Sequence, residues 1–357
     1  MEMLIINIQL FAADTTTHTN VTTDTRTGND YDAMQYNSLS AEMKTFYDMT
    51  LIDEASAQLV HDQFGQKRPI PKNGGKTIEF RKFSSLPKAT TAITEGVTPV
   101  GKRLDVTTIT ATVAQYGDYI VQSDVLELTA LDNTILEATK LLGRQAGSTL
   151  DTVVRNVLVA GTNVTYCPKV SGSTETAVET RSGLDLTAKL TVKTIQKVVA
   201  KLRGQNAPTI GGKYVAIIHP YVAYDLMRDP EWIDAHKYAK PDNLYEGEIG
   251  EIAGVRFVQT TEAKVWNDSN CPSDGSNGQY SVYATLFMGD GAYGVTEITG
   301  GGLQTIVKQK GSGGTADPLD QRSSVGWKAI KTAELLVPNY LVRVESCSPD
   351  FAKTAAN

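Results

Sequence analysis

Apolar positions divide the chain into segments of different period. Between Ser40 and Phe64, Met43, Phe46, Tyr47, Leu51, Ala55, Leu59 and Phe64 recur at three- and four-residue steps. That spacing predicts an amphipathic helix, capped by Ser40 and stopped by Gly65. The period then falls to two. In KTIEFRKF, Ile78 and Phe80 share one face and Thr77, Glu79 and Arg81 the other. In RLDVTTITATVAQYGDYIV, Leu104 and Val106 set one parity and Ile109, Ala111 and Val113 the opposite one. The change predicts a strand with a bulge between Val106 and Ile109. A loop of about twenty residues, SSLPKATTAITEGVTPVGK, joins the two strands, which is long for the interior of a compact domain. Residues 66–122 therefore read as a long hairpin that leaves the body of the chain.

A second helical stripe follows in DNTILEATKLLGRQAGSTLDTVVRNVLVAG. Ile135, Thr139, Leu142, Ala146, Thr149, Val153 and Val157 trace it, with Leu136, Leu150, Val154 and Leu158 alongside. A helix over 133–160, capped by Asp132, spans roughly 40 Å at ~1.5 Å per residue. Gly143 and Gly147 argue against its being straight. After a polar loop at 171–183, the pattern predicts a helix at 191–204, through Ile195, Val198, Val199 and Leu202, and a buried strand at 214–220. A short helical piece at 221–239 precedes strands at 280–288, 303–309, 325–336 and 340–346. Helices and strands mix without regular alternation, which favours an α+β fold over a doubly wound sheet. Residues 13–37 are polar and rich in threonine. They cannot bury enough apolar surface to offset the entropy of ordering, and read as a flexible arm. The apolar tip over residues 1–12 either docks on a neighbouring surface or ends a disordered tail.

The 357 residues are 41% hydrophobic and 21% charged, enough for one large or two moderate cores. A net charge of −6 argues against a protein whose main task is gripping nucleic acid, though not against one that encloses it. The hairpin reverses that sign. From Gln66 to Arg103, nine bases (Lys67, Arg68, Lys72, Lys76, Arg81, Lys82, Lys88, Lys102, Arg103) face two acids, Glu79 and Glu95, a balance of +7. From Asp105 to Gly161, seven acids face three bases, a balance of −4. A basic projection beside an acidic body suits contact with the acidic body of another copy. The alternative is a solvated hairpin with no partner, but a bare two-stranded ribbon is marginal alone. The three cysteines, Cys167, Cys271 and Cys347, match no metal or redox spacing and read as free thiols in a reducing compartment. The start, MEMLIINIQLFAAD, has Glu2 in place of a basic region, and Asn7 and Gln9 interrupt it, unlike a secretion signal. No run approaches the ~20 apolar residues of a membrane helix. A soluble chain that stays in the cell that makes it is expected.

The sequence carries no motif that amounts to an active site. GEIGEIAGVRFVQTTEA, residues 247–263, spaces Gly247, Gly250 and Gly254 as G-x-x-G-x-x-x-G and runs from loop to strand, whereas phosphate loops run from strand to helix. The histidines, His18, His61, His219 and His236, form no paired ligand spacing. His219, before Pro220, is the best lone catalytic candidate and reads more simply as the cap of a strand end. Asp225 with Asp229 reads as a solvated face. GDGAYG, 289–294, lacks the ligand cadence of a calcium loop. No catalytic residue, cofactor or metal ligand is assigned.

The order of these parts is distinctive: arm, helix, basic hairpin, long helix, mixed domain and returning strands. With FYDMTLIDEASAQLVHDQFGQKRPIPKNGGKTIEFRKFSSL (46–86), EGVTPVGKRLDVTTITATVAQYGDYIVQSD (95–124), the glycine stretch (247–263) and DPLDQRSSVGWKAIKTAELLVPNYLVRVES (317–346), it resembles tailed-phage major capsid proteins of the HK97 fold. The nearest resemblance is to the family named after the major capsid protein of phage N4, over residues 38–347. It implies a flexible N-terminal arm (1–37), an N-terminal helix (38–65) and an extended β-hairpin, or E-loop (66–122), reaching over a neighbouring subunit. A peripheral domain around a spine helix (123–190), an axial domain (191–304), and return strands with a tail (305–357) complete it. Lys72, Lys76, Arg81, Lys82, Lys88, Lys102 and Arg103 become candidate subunit-interface residues. The glycines become a turn before a central strand of the axial domain.

The implied partners are further copies in hexamers and pentamers, a portal protein, and enclosed double-stranded DNA bound without sequence specificity, with no membrane. The arm is short for a fused scaffolding segment, so a separate scaffolding protein is expected. Nothing marks a Lys–Asn crosslinking pair. The implied place is the virion capsid, assembled in the host cytoplasm. Two other readings stay open, an encapsulin-type compartment shell and an enzyme of unrecognised class.

Overall fold

The computed structural model describes residues 41–56, 58–83, 86, 88–93, 95, 96, 98, 101–129, 134–172, 174–236, 250–276, 278–312 and 317–357. The arm over 1–37, the Ser40 and Asp132 caps and Gly247 lie outside these residues.

Helix α1 spans Ala41–Ser56 and buries Tyr47, Leu51 and Ala55. It stops short of Gly65. Beyond Ser56 the amides of Val60 and His61 donate to Asp151 Oδ1, at 2.9 and 2.7 Å, instead of to carbonyls one turn back. Leu59 and Phe64 keep their inward places, but from turns. Next come β1 (Gln66–Lys67), β2 (Thr77–Phe83), β3 (Val106–Thr112), β4 (Ala114–Ser123) and α2 (Asp124–Thr129). The predicted bulge is absent from β3. Its register with β2 runs one to one, from Phe83 opposite Val106 to Thr77 opposite Thr112. The parity changes because Val106 shares the outward face with Thr108 and Thr110, while Ile109 and Ala111 face the body. The break falls instead at buried Val113, between β3 and β4.

Helix α3 (Thr134–Val159) has 26 residues, roughly 39 Å at 1.5 Å per residue, and runs unbroken through Gly143 and Gly147. The glycines are places of close approach. A Cβ on Gly143 would meet the Leu51 carbonyl oxygen at 2.9 Å, and one on Gly147 the Ala55 carbonyl oxygen at 2.5 Å. Helix α1 thus lies backbone-close on α3.

The chain continues through β5 (Val164–Tyr166), β6 (Lys169–Ser171), β7 (Thr174–Thr176), α4 (Val192–Gly204) and β8 (Tyr214–Ile218). Then come α5 (Pro220–Met227), α6 (Pro230–His236), β9 (Glu251–Ile252), β10 (Val255–Gln259) and β11 (Val265–Trp266). Last are β12 (Val282–Met288), β13 (Tyr293–Glu297), β14 (Gln304–Lys308), β15 (Arg322–Leu335) and β16 (Leu341–Cys347).

Among the described residues two larger sheets form. In the seven-stranded one the order is β5-β16-β12-β8-β10-β9, with β11 beside β12. Every residue of β8 and β12 is buried, and Ile195 and Leu202 of α4 pack into the same core as Ile218, Phe287 and Val342. In the other sheet the order is β1-β13-β15-β14, with β4 paired to β15 over ten residues. Helix α3 covers this sheet through Leu142, Ala146 and Leu150 against Val325, Trp327 and Ala329.

The glycine stretch is a turn. Ile252 and Val255 pair across Ala253 and Gly254, whose φ values are 54° and 78°. Two successive positive φ values give the twist that a two-residue hairpin requires. Strand β10 then lies between β8 and the short edge strand β9. Strand β13, absent from the sequence reading, emerges from the glycine-rich 289–294 segment with Tyr293, Val295 and Thr296 buried.

Candidate functional site

The hairpin is largely exposed among the described residues. Strands β2 and β3 pair only with each other among the described residues, whereas β4 beyond them joins the five-stranded sheet. The self-paired ribbon is therefore 77–83 with 106–112, a narrower span than 66–122. Its base is anchored. Phe80 and Ala111, both buried, pack with Ile78 and Ile109 on Leu336 and Val337. Toward the tip the anchoring ends. Every described residue from Arg81 to Thr108 is exposed.

The structure does not gather the seven candidate bases into one patch. Lys72 lies before the ribbon, its stem over Gly300, whose Cβ would meet Lys72 Cε at 2.8 Å. Lys76 sits where the ribbon begins, its carbonyl accepting from Val113 N at 3.0 Å. Arg81 and Lys82, on opposite faces of β2, line a cleft of about 150 Å³ with Arg68, Phe80, Ile109 and Leu336. Lys88, Lys102 and Arg103 belong to the tip. Among the described residues, no carboxylate lies within ion-pair range of any of the seven. Arg68 stands over the Phe80 ring at 5.9 Å.

Sequence reasoning missed the apolar part of this surface. Phe83 is 61% exposed and sits directly across from exposed Val106, and Leu86, Ile93 and Leu104 are exposed as well. The signal was the parity change at Val106, which places apolar side chains on the outer face. The body also exposes large apolar side chains. Phe46, Met49 and Ile52 of α1, Tyr119 and Val121 of β4 and Val125 and Leu126 of α2 are exposed, as are Asp53 of α1 and Asp118 of β4. One of the acids counted there, Asp151, is not on the surface at all: it is fully buried against His61.

The remaining chemical candidates have structural roles. His219 Nδ1 accepts from Tyr221 N at 3.2 Å and so caps α5, with Pro220 in its first turn. Burial pushes its pKa down to about 4, which keeps the ring neutral, as a cap acceptor must be. The three thiols are buried and free, and burial pushes their pKa values up, that of Cys347 to about 12, leaving no thiolate at neutral pH. Asp225 is not a solvated face but a buried carboxyl on a cleft with Asp229, and its pKa is raised by burial. No three His, Cys, Asp or Glu side chains converge on a point that could hold a metal ion, and no helix is long and apolar enough to cross a membrane, among the described residues.

A model of the phage capsid protein family matches residues 25–313. No curated protein sequence matches the chain. Among solved structures, the capsid of the cyanophage P-SCSP1u contains a chain 15% identical to this one, with a TM-score of 0.61, covering 81% of this chain and 88% of that chain. A chain in the capsid of Ralstonia phage GP4 is 13% identical with a TM-score of 0.60, covering 84% and 90%. One in the capsid of Helicobacter pylori bacteriophage KHP30 is 14% identical with a TM-score of 0.59, covering 81% and 89%. At these identities the likeness is one of fold, and the α+β fold is HK97-like.

Proposed function

Because the chain belongs to the phage capsid protein family, we propose that its exposed ribbon is the clasp by which copies of this major capsid protein hold one another in the shell. The role is structural: many copies assemble into the wall of a virion. The observation that carries the clasp is the exposure of every described residue from Arg81 to Thr108, among which bases stand beside Phe83, Leu86, Ile93, Leu104 and Val106. Such a surface is a poor solvent-facing face and a good contact face. Its complement is the acidic and apolar surface of α1, β4 and α2 on a neighbouring copy. Apolar burial supplies the affinity. Opposite charge selects the partner surface and speeds encounter.

Heterologous contacts of this kind close into rings, and the finer reading is of hexamers and pentamers. The E-loop, peripheral and axial divisions given above, a separate scaffolding protein, a portal protein, assembly in the host cytoplasm and the closer kinship with N4-type capsid proteins belong to the same reading. The enclosed double-stranded DNA is held by confinement, consistent with a net charge of −6.

The test is reversal of Lys72, Lys76, Arg81 and Lys82 to Glu. All four side chains are exposed, so the subunit keeps its fold and its circular dichroism. Shells disappear from electron micrographs. Normal shells from the reversed protein would sink the charge-selected clasp.

A further inference from the structure

The segment that leads from α1 toward the ribbon is tied to α3 by a buried aspartate. Asp151 lies in the middle of α3 and is fully buried, as is His61. Its Oδ1 accepts from the amides of Val60 and His61, and its Oδ2 meets His61 Nδ1 at 2.7 Å. Tyr293, on β13, donates its hydroxyl to the His61 carbonyl. His61 is thus held by its amide, its carbonyl and its ring. Next to it, Asp62 pairs with Lys331 of β15 at 3.0 Å and approaches Lys67 at 3.7 Å. From there the chain is stitched to β13, Arg68 N donating to the Val295 carbonyl and Ile70 N to the Glu297 carbonyl, before it enters the ribbon at Thr77. Two polar atoms of this knot, His61 Nε2 and Asp62 Oδ1, are buried without a hydrogen-bond partner among the described residues.

A buried polar pair contributes little stability beyond what a well-packed apolar filling would give. Apolar side chains at 61 and 151 would fill the space but would not fix the orientation of the backbone at His61. We propose that His61 and Asp151 are positioning residues that fix the path of the chain from α1 to the root of the ribbon, and thereby the angle at which the ribbon leaves the body and the curvature of the shell. This rests on the ribbon clasping a neighbour.

Particle diameter separates the proposal from simple stabilisation. Asp151→Ala removes the acceptor of three hydrogen bonds, His61→Phe removes the ring bond while sparing the amides, and Asp151→Asn keeps an oxygen for the amides. Each is assembled beside wild type at a temperature where circular dichroism shows it folded. Closed shells of wild-type diameter, counted in electron micrographs, should fall at least about tenfold for Asp151→Ala, since each of the three lost buried hydrogen bonds is worth a factor of that order. His61→Phe should broaden the diameters, and Asp151→Asn should restore most wild-type-sized shells. Variants that melt earlier yet build shells of wild-type diameter would overturn the proposal. If Asp151→Ala does not fold, His61→Phe decides alone, and a wild-type diameter from it is again fatal. A wild-type chain that never assembles overturns the shell reading itself, a separable failure.

Discussion

Single residues show how narrowly some positions are constrained. Gly147 is required by contact and not by conformation: it is ordinary helix, but α1 leaves no room for a Cβ beside the Ala55 carbonyl. Gly147→Ala raises helix propensity and should nonetheless destabilise, by ~1–3 kcal/mol, because overpacking outweighs propensity. Gly204→Ala, where a Cβ meets nothing within 4 Å, is the control, and thermal melts of both should part in that order. His219 gives a second measurable consequence. Its folded pKa of about 4 lies below its ordinary 6.5. The unfolded chain therefore binds the proton more readily, so the stability from the neutral cap is present above pH 6.5 and drains away as pH falls toward 4. The whole loss is on the order of 3 kcal/mol. Urea midpoints at pH 7, 5.5 and 4.5 should show it as a difference between wild type and His219→Asn, which caps without titrating. Equal pH slopes would refute the neutral-cap assignment.

At the level of elements, the ribbon divides into an anchored root and a free end, and substitutions should divide with it. Phe80→Ala empties a buried site and should cost ~3–5 kcal/mol in subunit stability. Phe83→Ser, three residues on and 61% exposed, should leave the melt within ~0.5 kcal/mol and still suppress shells, as light scattering would show. If Phe83→Ser shells form at the wild-type concentration, the apolar half of the clasp is wrong. Most elements were legible because their periods were unambiguous, as the apolar runs of β8 and β12 show; in α3 the helix appears where expected, but its buried line turns after Ala146 through Leu150, Val154 and Leu158, leaving Thr149, Val153 and Val157 half-buried. Long-range partners explain the failures. The stripe of α1 continued to Phe64 in sequence, but Asp151, ninety residues away, took the amides that would have extended the helix. Strand β13 was hidden by glycine and threonine, residues that become strand only when β1 and β15 close on both sides.

For the whole molecule, the architecture was readable from the order of its parts, because few folds place a charged hairpin between two helices and return at the end with long strands. The surface was less readable. The charge balance of the sequence takes the acids as a uniform field, whereas Asp151 is interior and fully buried. Burial, which decides whether a charge is available to a partner, is a property of the tertiary structure. One feature of that structure has mechanical meaning. Strand β3 passes through Val113 into β4 with no intervening loop, and β4 lies against β15 over ten residue pairs. A pull along β3 travels through the backbone into that long seam. There it acts as shear, straining all ten rungs simultaneously instead of peeling them apart in succession, so the subunit meets tension with its toughest grain.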